Sequence, residues 1–108
     1  MQFKSFDDFW VFYLTQHRKL STRRWHCCGT SIAVLFIVAA AVVKWWCLLF
    51  AGVLVGYGFA WYSHFFVEGN RPATFGHPIW SFLCDFKMLG LTLIGGINKE
   101  IKRIESIE

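Results

Sequence analysis

Two uncharged apolar runs separated by a single lysine constrain the fold of this 108-residue chain more than any other feature. The runs cover residues 25–43 and 45–67, and Lys44 lies between them. A membrane-spanning helix needs about 20 predominantly apolar residues, and each run is close to that length. One continuous helix would place Lys44 in the centre of the bilayer, which costs about 3 kcal/mol. We therefore predict a turn at Lys44 and a transmembrane helical hairpin.

The rest of the chain is predicted to complete a single all-α integral membrane domain over residues 1–108. Its N-terminal segment carries aromatic residues at helical spacing, which predicts an amphipathic helix on the membrane surface with its aromatic face towards lipid. The predicted segments are an interfacial helix at 5–17, hairpin helices at 25–43 and 45–67, a loop at 68–78, a membrane or interfacial helix at 79–97 and a polar tail at 98–108.

Charge and composition indicate how the chain sits in the membrane. Its hydrophobic fraction is 56% and its mean hydropathy is +0.43, both high for a soluble domain. Basic residues precede the first apolar run and follow the second, whereas the turn holds only Lys44. The positive-inside rule therefore predicts both termini in the cytoplasm, at a bacterial inner membrane or the endoplasmic reticulum. Basic residues beside apolar runs suit membrane lipid headgroups, and we expect no nucleic-acid partner.

The fold-back gathers the histidines of the chain at one membrane face. His26 lies 18 residues before Lys44 and His64 lies 20 residues after it, so the two have the same depth within roughly 3 Å. His17 ends the surface helix on that side, and His77 lies in the loop after the second run. The spacing of the chain thus predicts four imidazoles at one face.

A cluster of imidazoles beside a carboxylate is a candidate metal site. Glu68 follows His64 by four residues, and this HxxxE pair shares a helix face. Imidazole suits iron, zinc and copper, and mixed nitrogen and oxygen ligation with open positions is typical of non-haem Fe(II) oxygenases. Three alternatives stay open: a membrane zinc hydrolase, haem held by two axial histidines, and a non-enzymatic hairpin that shapes bilayers or scaffolds partners. Glu68 could also pair with Arg71 at the headgroups.

Parts of the sequence resemble a membrane family once described as a domain of unknown function. The stretch HFFVEGNRPATFGHPIWSFLCDFKM, which begins at His64, resembles that family's signature, and its HxxxE pair with Pro72 resembles the central motif. The segment FYLTQH ending at His17, with His26 nine residues later, resembles the N-terminal pattern. Fungal members of the family are endoplasmic-reticulum 2-hydroxy fatty acid dioxygenases. The resemblance covers about residues 6–100.

The resemblance implies an Fe(II)-dependent α-oxidation, in which a 2-hydroxy fatty acid reacts with O2 and becomes one carbon shorter. The metal ligands that it implies are His17, His26 and His64. His77 completes our predicted ligand set, although it lies at a position where the family varies. Glu68 and Arg71 are the expected catalytic residues, and either Arg71 or Lys87 would hold the substrate carboxylate. Because two helices enclose little space for a substrate, we also expect a homo-oligomer.

Overall fold

A computed structural model describes residues 3–72 and 76–107, and every secondary-structure element in these ranges is a helix. The all-α prediction is therefore confirmed. Residues 73–75 of the predicted loop lie outside the described residues. The helices are α1 (Phe6–Thr15), α2 (Leu20–Val43), α3 (Cys47–Tyr62), which continues as a π-helical segment (Ser63–Glu68), α4 (Pro78–Ile94) and α5 (Ile97–Ile107).

Helices α2 and α3 form the predicted hairpin. Helix α2 has 24 residues, and α3 with its π-helical segment has 22, so both are long and apolar enough to cross a membrane. The chain reverses where Lys44 ends α2 in the left-handed conformation, with φ 57° and ψ 31°. A lysine at the turn keeps its ammonium group at the bilayer surface, where hydration stabilises it.

Close approach of two backbones holds the hairpin together. A Cβ atom on Gly29 would lie 2.5 Å from Cβ of Phe59, and one on Gly52 would lie 2.7 Å from Cβ of Phe36. These separations are shorter than any two side chains tolerate, so glycine at both positions permits the antiparallel contact. The sequence indicates the glycines of α3, but it does not reveal that Gly29 of α2 is part of the same interface.

The outer face of the hairpin carries large apolar side chains that are mostly exposed. Leu35 is 67% exposed, Phe50 is 76% exposed and Leu54 is 73% exposed. An apolar surface of this kind is rare on soluble monomers and is typical of contact with lipid. The length of the helices and their exposed apolar faces together identify a membrane protein.

Helix α1 packs onto α4 and α5 and forms a compact core with them. Its aromatic residues Phe9, Trp10 and Tyr13 are each 0% exposed. The structure thus turns this face towards protein, whereas the sequence predicts contact with lipid. The difference arises because α4 and α5 offer apolar partners, among them Met88 and Ile104.

Helix α4 occupies most of the segment predicted as a membrane or interfacial helix at 79–97, and the chain bends at the end of that segment. Helix α4 ends at Ile94, and the axes of α4 and α5 differ by 119°. Gly95 makes the bend with φ 80°, a conformation that glycine adopts without strain. The amide of Gly96 donates to the carbonyl of Leu91 across this turn, at 2.8 Å. The polar tail is thereby directed back against α1 as helix α5.

A Gly29→Ala substitution tests the helix contact, because the added methyl group would collide with Phe59. We expect it to destabilise the protein by about 1–3 kcal/mol, as overpacking typically does. The matched control is Gly58→Ala, since a Cβ there meets nothing within 4 Å. Thermal unfolding in detergent, followed by circular dichroism, compares the two variants. Equal stability would contradict close packing at Gly29.

Candidate metal centre

Three histidines from three different elements meet inside the protein. His17 follows α1, His26 lies in the second turn of α2, and His64 begins the π-helical segment. They are 0%, 4% and 1% exposed, and their candidate ligand nitrogens all lie within 4.8 Å of one another. The ring centroid of His17 lies 4.7 Å from that of His26 and 4.4 Å from that of His64. The rings of His26 and His64, which the sequence predicts at a common depth, lie 5.6 Å apart.

The ring of His17 is fixed by the last turn of α1. Its Nδ1 lies 2.6 Å from the carbonyl oxygen of Tyr13, which makes Nδ1–H the donor and leaves the lone pair on Nε2. The ring also stacks on Tyr13 at a centroid distance of 4.2 Å. Burial, together with His26 and His64 nearby, lowers the pKa of His17 well below its ordinary value. A neutral imidazole is the form that binds a metal.

The ring of His64 is fixed by the irregular end of α3. Its Nδ1 lies 2.7 Å from Oδ1 of Asn70, and the amide nitrogen of Asn70 donates to the carbonyl of Gln16 at 3.0 Å. Gly69 ends the segment at φ 81°, so the chain turns back and the backbone N–H of Asn70 reaches the carbonyl of His64. π-Helical turns occur frequently at functional sites. Here the turn places the Asn70 amide beside the imidazole that it orients.

The ring of His26 faces a carboxylate from α4. Its Nε2 lies 3.5 Å from Oδ1 of Asp85, and the hydroxyl of Tyr13 donates to the same oxygen at 2.6 Å. Burial, followed by the effect of Asp85, raises the pKa of Tyr13 well above its ordinary value, so the phenol stays protonated and donates. Asp85 therefore faces Nε2 of the ring, and Nδ1 is the nitrogen of His26 that could bind a metal.

The three rings form a set of nitrogen donors that suits a transition metal. Each ring has one nitrogen beside an orienting group, namely a carbonyl, an amide and a carboxylate, as metal-bound histidines usually do. Nε2 of His17 and Nδ1 of His26 are buried without a hydrogen-bond partner in the described part of the chain. An unsatisfied buried group costs about 1–3 kcal/mol, and metal ligation removes that cost. Three imidazoles also leave positions open for substrate.

His77, the fourth predicted ligand, does not join this cluster. Its ring centroid lies 5.2 Å from that of Phe9 and 5.3 Å from that of Phe3, and the ring stacks on Trp80 at 5.5 Å. The sequence argument places His77 at the same membrane face as the other histidines, but in the structure its side chain packs among aromatic rings, including those of Phe9 and Trp80. The metal group found among the described residues consists of the other three histidines.

Glu68 holds the start of α2 and is not among the three candidate ligands. Its Oε1 accepts from the backbone N–H of Arg18 at 2.7 Å, and its Oε2 accepts from the hydroxyl of Thr22 at 2.7 Å. Lys19, the N-cap residue of α2, makes no side-chain cap of its own, so Glu68 serves that end of the helix. The HxxxE spacing therefore reflects a contact between α3 and α2.

Arg71 and Lys87, which were expected to hold the substrate carboxylate, are not part of the histidine cluster. Arg71 is exposed just after the π-helical segment. Nζ of Lys87 lies 4.5 Å from the ring centroid of Trp10, in a cation–π contact. Asp85 of α4 contacts Tyr13 and His26.

Sequence reasoning did not assign the groups that orient the histidines. These groups are the Tyr13 carbonyl and hydroxyl, the Asn70 amide and the Asp85 carboxylate. The sequence could have identified Asp85, because an acidic residue in an apolar helix is a functional candidate by itself. Asn70 carried none, since its role depends on the turn at Gly69.

Comparison with known proteins adds one family match. The family model described as "2-hydroxy-palmitic acid dioxygenase Mpo1-like" matches residues 3–97. No curated protein and no solved structure matches the chain. The matched region contains all three clustered histidines and both side chains, Asn70 and Asp85, that orient them. The chain belongs to the Mpo1-like family.

Proposed function

We propose that this protein is an Fe(II)-dependent dioxygenase that shortens 2-hydroxy fatty acids by α-oxidation. The observation that carries the proposal is the buried cluster of His17, His26 and His64, in a chain whose family is described as a 2-hydroxy-palmitic acid dioxygenase. Three imidazoles with open positions suit ferrous iron. The membrane location suits a substrate with a long acyl chain.

The proposed reaction balances with O2 as the sole oxidant. One 2-hydroxy acid and one O2 give the acid one carbon shorter, one CO2 and one water. The bond between C1 and C2 breaks, C1 leaves as CO2, and C2 is oxidised from a secondary alcohol to a carboxylic acid. Ferrous iron, when bound, would supply the electrons that activate O2 and a Lewis acid for the oxygens of the substrate.

The side chains around the cluster hold the ligands and limit access of water. Asn70 and Asp85 fix two rings, and the carbonyl of Tyr13 fixes the third, so each imidazole presents one defined nitrogen. The stacked Tyr13 ring covers His17, and both residues are 0% exposed. A dry, pre-oriented site strengthens ligation and protects reactive species from side reactions.

The active-site face of the hairpin is cytoplasmic in this proposal. The histidine cluster lies at the end of the hairpin opposite Lys44, on the side where Arg18, Lys19, Arg23 and Arg24 occur. Both termini lie on that side, because basic segments are retained in the cytoplasm.

Labelling with a membrane-impermeant maleimide tests the orientation in intact cells. Lys44→Cys should react from outside, whereas Ser106→Cys should react only after lysis. Both variants are made with serine at the exposed Cys28 and Cys47. The reverse pattern of reactivity would contradict a cytoplasmic site.

Supplying 2-hydroxypalmitic acid, ferrous iron and O2 to the purified protein tests the activity. We expect pentadecanoic acid and CO2 in equal amounts, measured by mass spectrometry, with iron retained by the protein. His17→Ala, His26→Ala and His64→Ala should each lose the retained iron and the product.

His77→Ala is the matched control, because His77 lies outside the cluster, and it should retain iron and form product. A folded wild-type protein that retains zinc, or that consumes no O2 with this substrate, would contradict the proposed function. Equal loss of iron in the His77 variant would contradict the assigned ligands.

Asp85→Asn tests whether the carboxylate orients His26. The neutral amide oxygen of asparagine is a weaker hydrogen-bond acceptor than a carboxylate oxygen. We therefore expect an iron affinity about 10–100-fold lower, as loss of a group that supports a metal ligand typically gives. Tyr13→Phe, which keeps the carboxylate but removes its donor, should give a smaller loss. Competitive chelation measures the affinity, and Asp8→Asn on the exposed side of α1 is the control. An unchanged affinity in Asp85→Asn would refute the positioning role.

A further inference from the structure

Arg23 is a half-buried cation beside the metal centre. Its Nη1 donates to the carbonyl oxygens of His17 and Arg18, each at 2.8 Å. Within the described residues, no carboxylate forms an ion pair with Arg23. A partly desolvated guanidinium normally finds an anion, because burial without a partner is costly. Arg23 therefore carries a positive charge whose hydrogen-bond partners are neutral backbone carbonyls.

Two cavities share Arg23. One is a small pocket of about 60 Å³, whose mostly apolar lining also includes His17 and the acidic residue Glu105. The other is a groove of about 300 Å³ between the first turns of α2 and the last turns of α4. Leu89 and Leu93 lie along the groove, and Arg24 lies at its charged end with Arg23. Arg23 thus lies between the small pocket beside His17 and the apolar groove.

The chemistry of the groove matches a fatty acid. Its arginine end suits a carboxylate, which guanidinium binds through two parallel hydrogen bonds. Its apolar walls favour a hydrocarbon chain, and its volume falls within the range of small-molecule sites. The groove occupies the first turns of α2, which also contain His26.

We propose that this groove, with Arg23 at its charged end, binds the 2-hydroxy fatty acid. The carboxylate lies at the end of the groove that Arg23 and Arg24 line, and the acyl chain runs between α2 and α4 along Leu93 and Leu89. The proposal rests on the proposed function for the identity of the lipid. It assigns to Arg23 the role that the sequence suggested for Arg71 or Lys87.

A second groove between the hairpin and α4 fits this ligand less well. It encloses about 40 Å³, and Val53 and Phe86 are among its lining residues. The acidic group at this groove is Asp85, which already accepts from Tyr13. A second carboxylate placed there would meet like charge, so the anionic end of a fatty acid is favoured at Arg23.

Photocrosslinking locates the acyl chain without requiring turnover. The probe is 2-hydroxypalmitic acid with a diazirine in the middle of the chain, added to the full-length protein in nanodiscs with iron. We expect crosslinks at Leu89, Leu93 and the facing residues of α2, and unlabelled 2-hydroxypalmitic acid should remove them. Crosslinks confined to Val53 and Phe86, or to the exposed Leu54, would overturn the assignment. Displacement by phosphatidylglycerol but not by the hydroxy acid would also overturn it, since the groove would then hold a phospholipid.

Variants of the two ends of the groove complete the test. Arg23→Gln should weaken binding of the probe about tenfold or more, because a charge-assisted contact is lost, and Arg23→Lys should restore part of it. Leu93→Trp, which leaves Arg23 in place, should narrow the groove and lower the affinity for long chains more than for short ones. Lys102→Gln, on the exposed side of α5, is the charge-matched control.

Unchanged binding in both Arg23→Gln and Leu93→Trp would refute the site. Specific crosslinking at the groove without any shortened product would retain the groove and contradict the dioxygenase. Formation of the shortened product with crosslinks outside the groove would support the dioxygenase and contradict the groove. The two proposals can therefore fail separately.

Discussion

The close contact between α2 and α3 is the constraint on which the metal centre depends. Glycine at position 29 lets Phe59 approach the backbone of α2, and His26 and His64 lie within about a turn or two of this contact. Larger residues at the crossing would separate the helices and move the two imidazoles apart. In lipid, where apolar surface gains little by association, such close packing is what holds helices together. The fold-back at Lys44 sets the depth of the histidines, and the glycine contact sets their separation.

The centre also carries a cost that ligation would remove. Burying three imidazoles requires a partner for each nitrogen, and the fold supplies an orienting group to one nitrogen of each ring. Nε2 of His17 and Nδ1 of His26 remain without a partner among the described residues. A metal that binds these nitrogens stabilises the folded chain by the free energy of binding, so folding and metal occupancy are coupled. The same groups that fix the tautomers therefore link stability to function.

Spacing along the chain predicts the hairpin and the meeting of His26 with His64, because helical rise converts residue number directly into depth.

The arrangement of Glu68 was not predictable in this way. In an α-helix, residues four apart share a face, but the π-helical segment changes that register, and the carboxylate instead holds the start of α2. His77 and the aromatic face of α1 depend on contacts between distant segments, which no local pattern records. The resemblance implied His17, His26 and His64 as metal ligands, and these three residues lie together in the structure. The contacts of Asn70 and Asp85 with the histidines emerged only from the folded structure.

Helix α4 connects the support of the metal centre with the proposed lipid groove. Asp85 faces His26 from this helix, and Leu89, one turn later, lines the groove that begins at Arg23. A helix is stiff over one turn, so a shift of α4 that widened the groove would also move the carboxylate that orients His26. In the proposed function, binding of an acyl chain and the orientation of His26 would therefore both depend on α4.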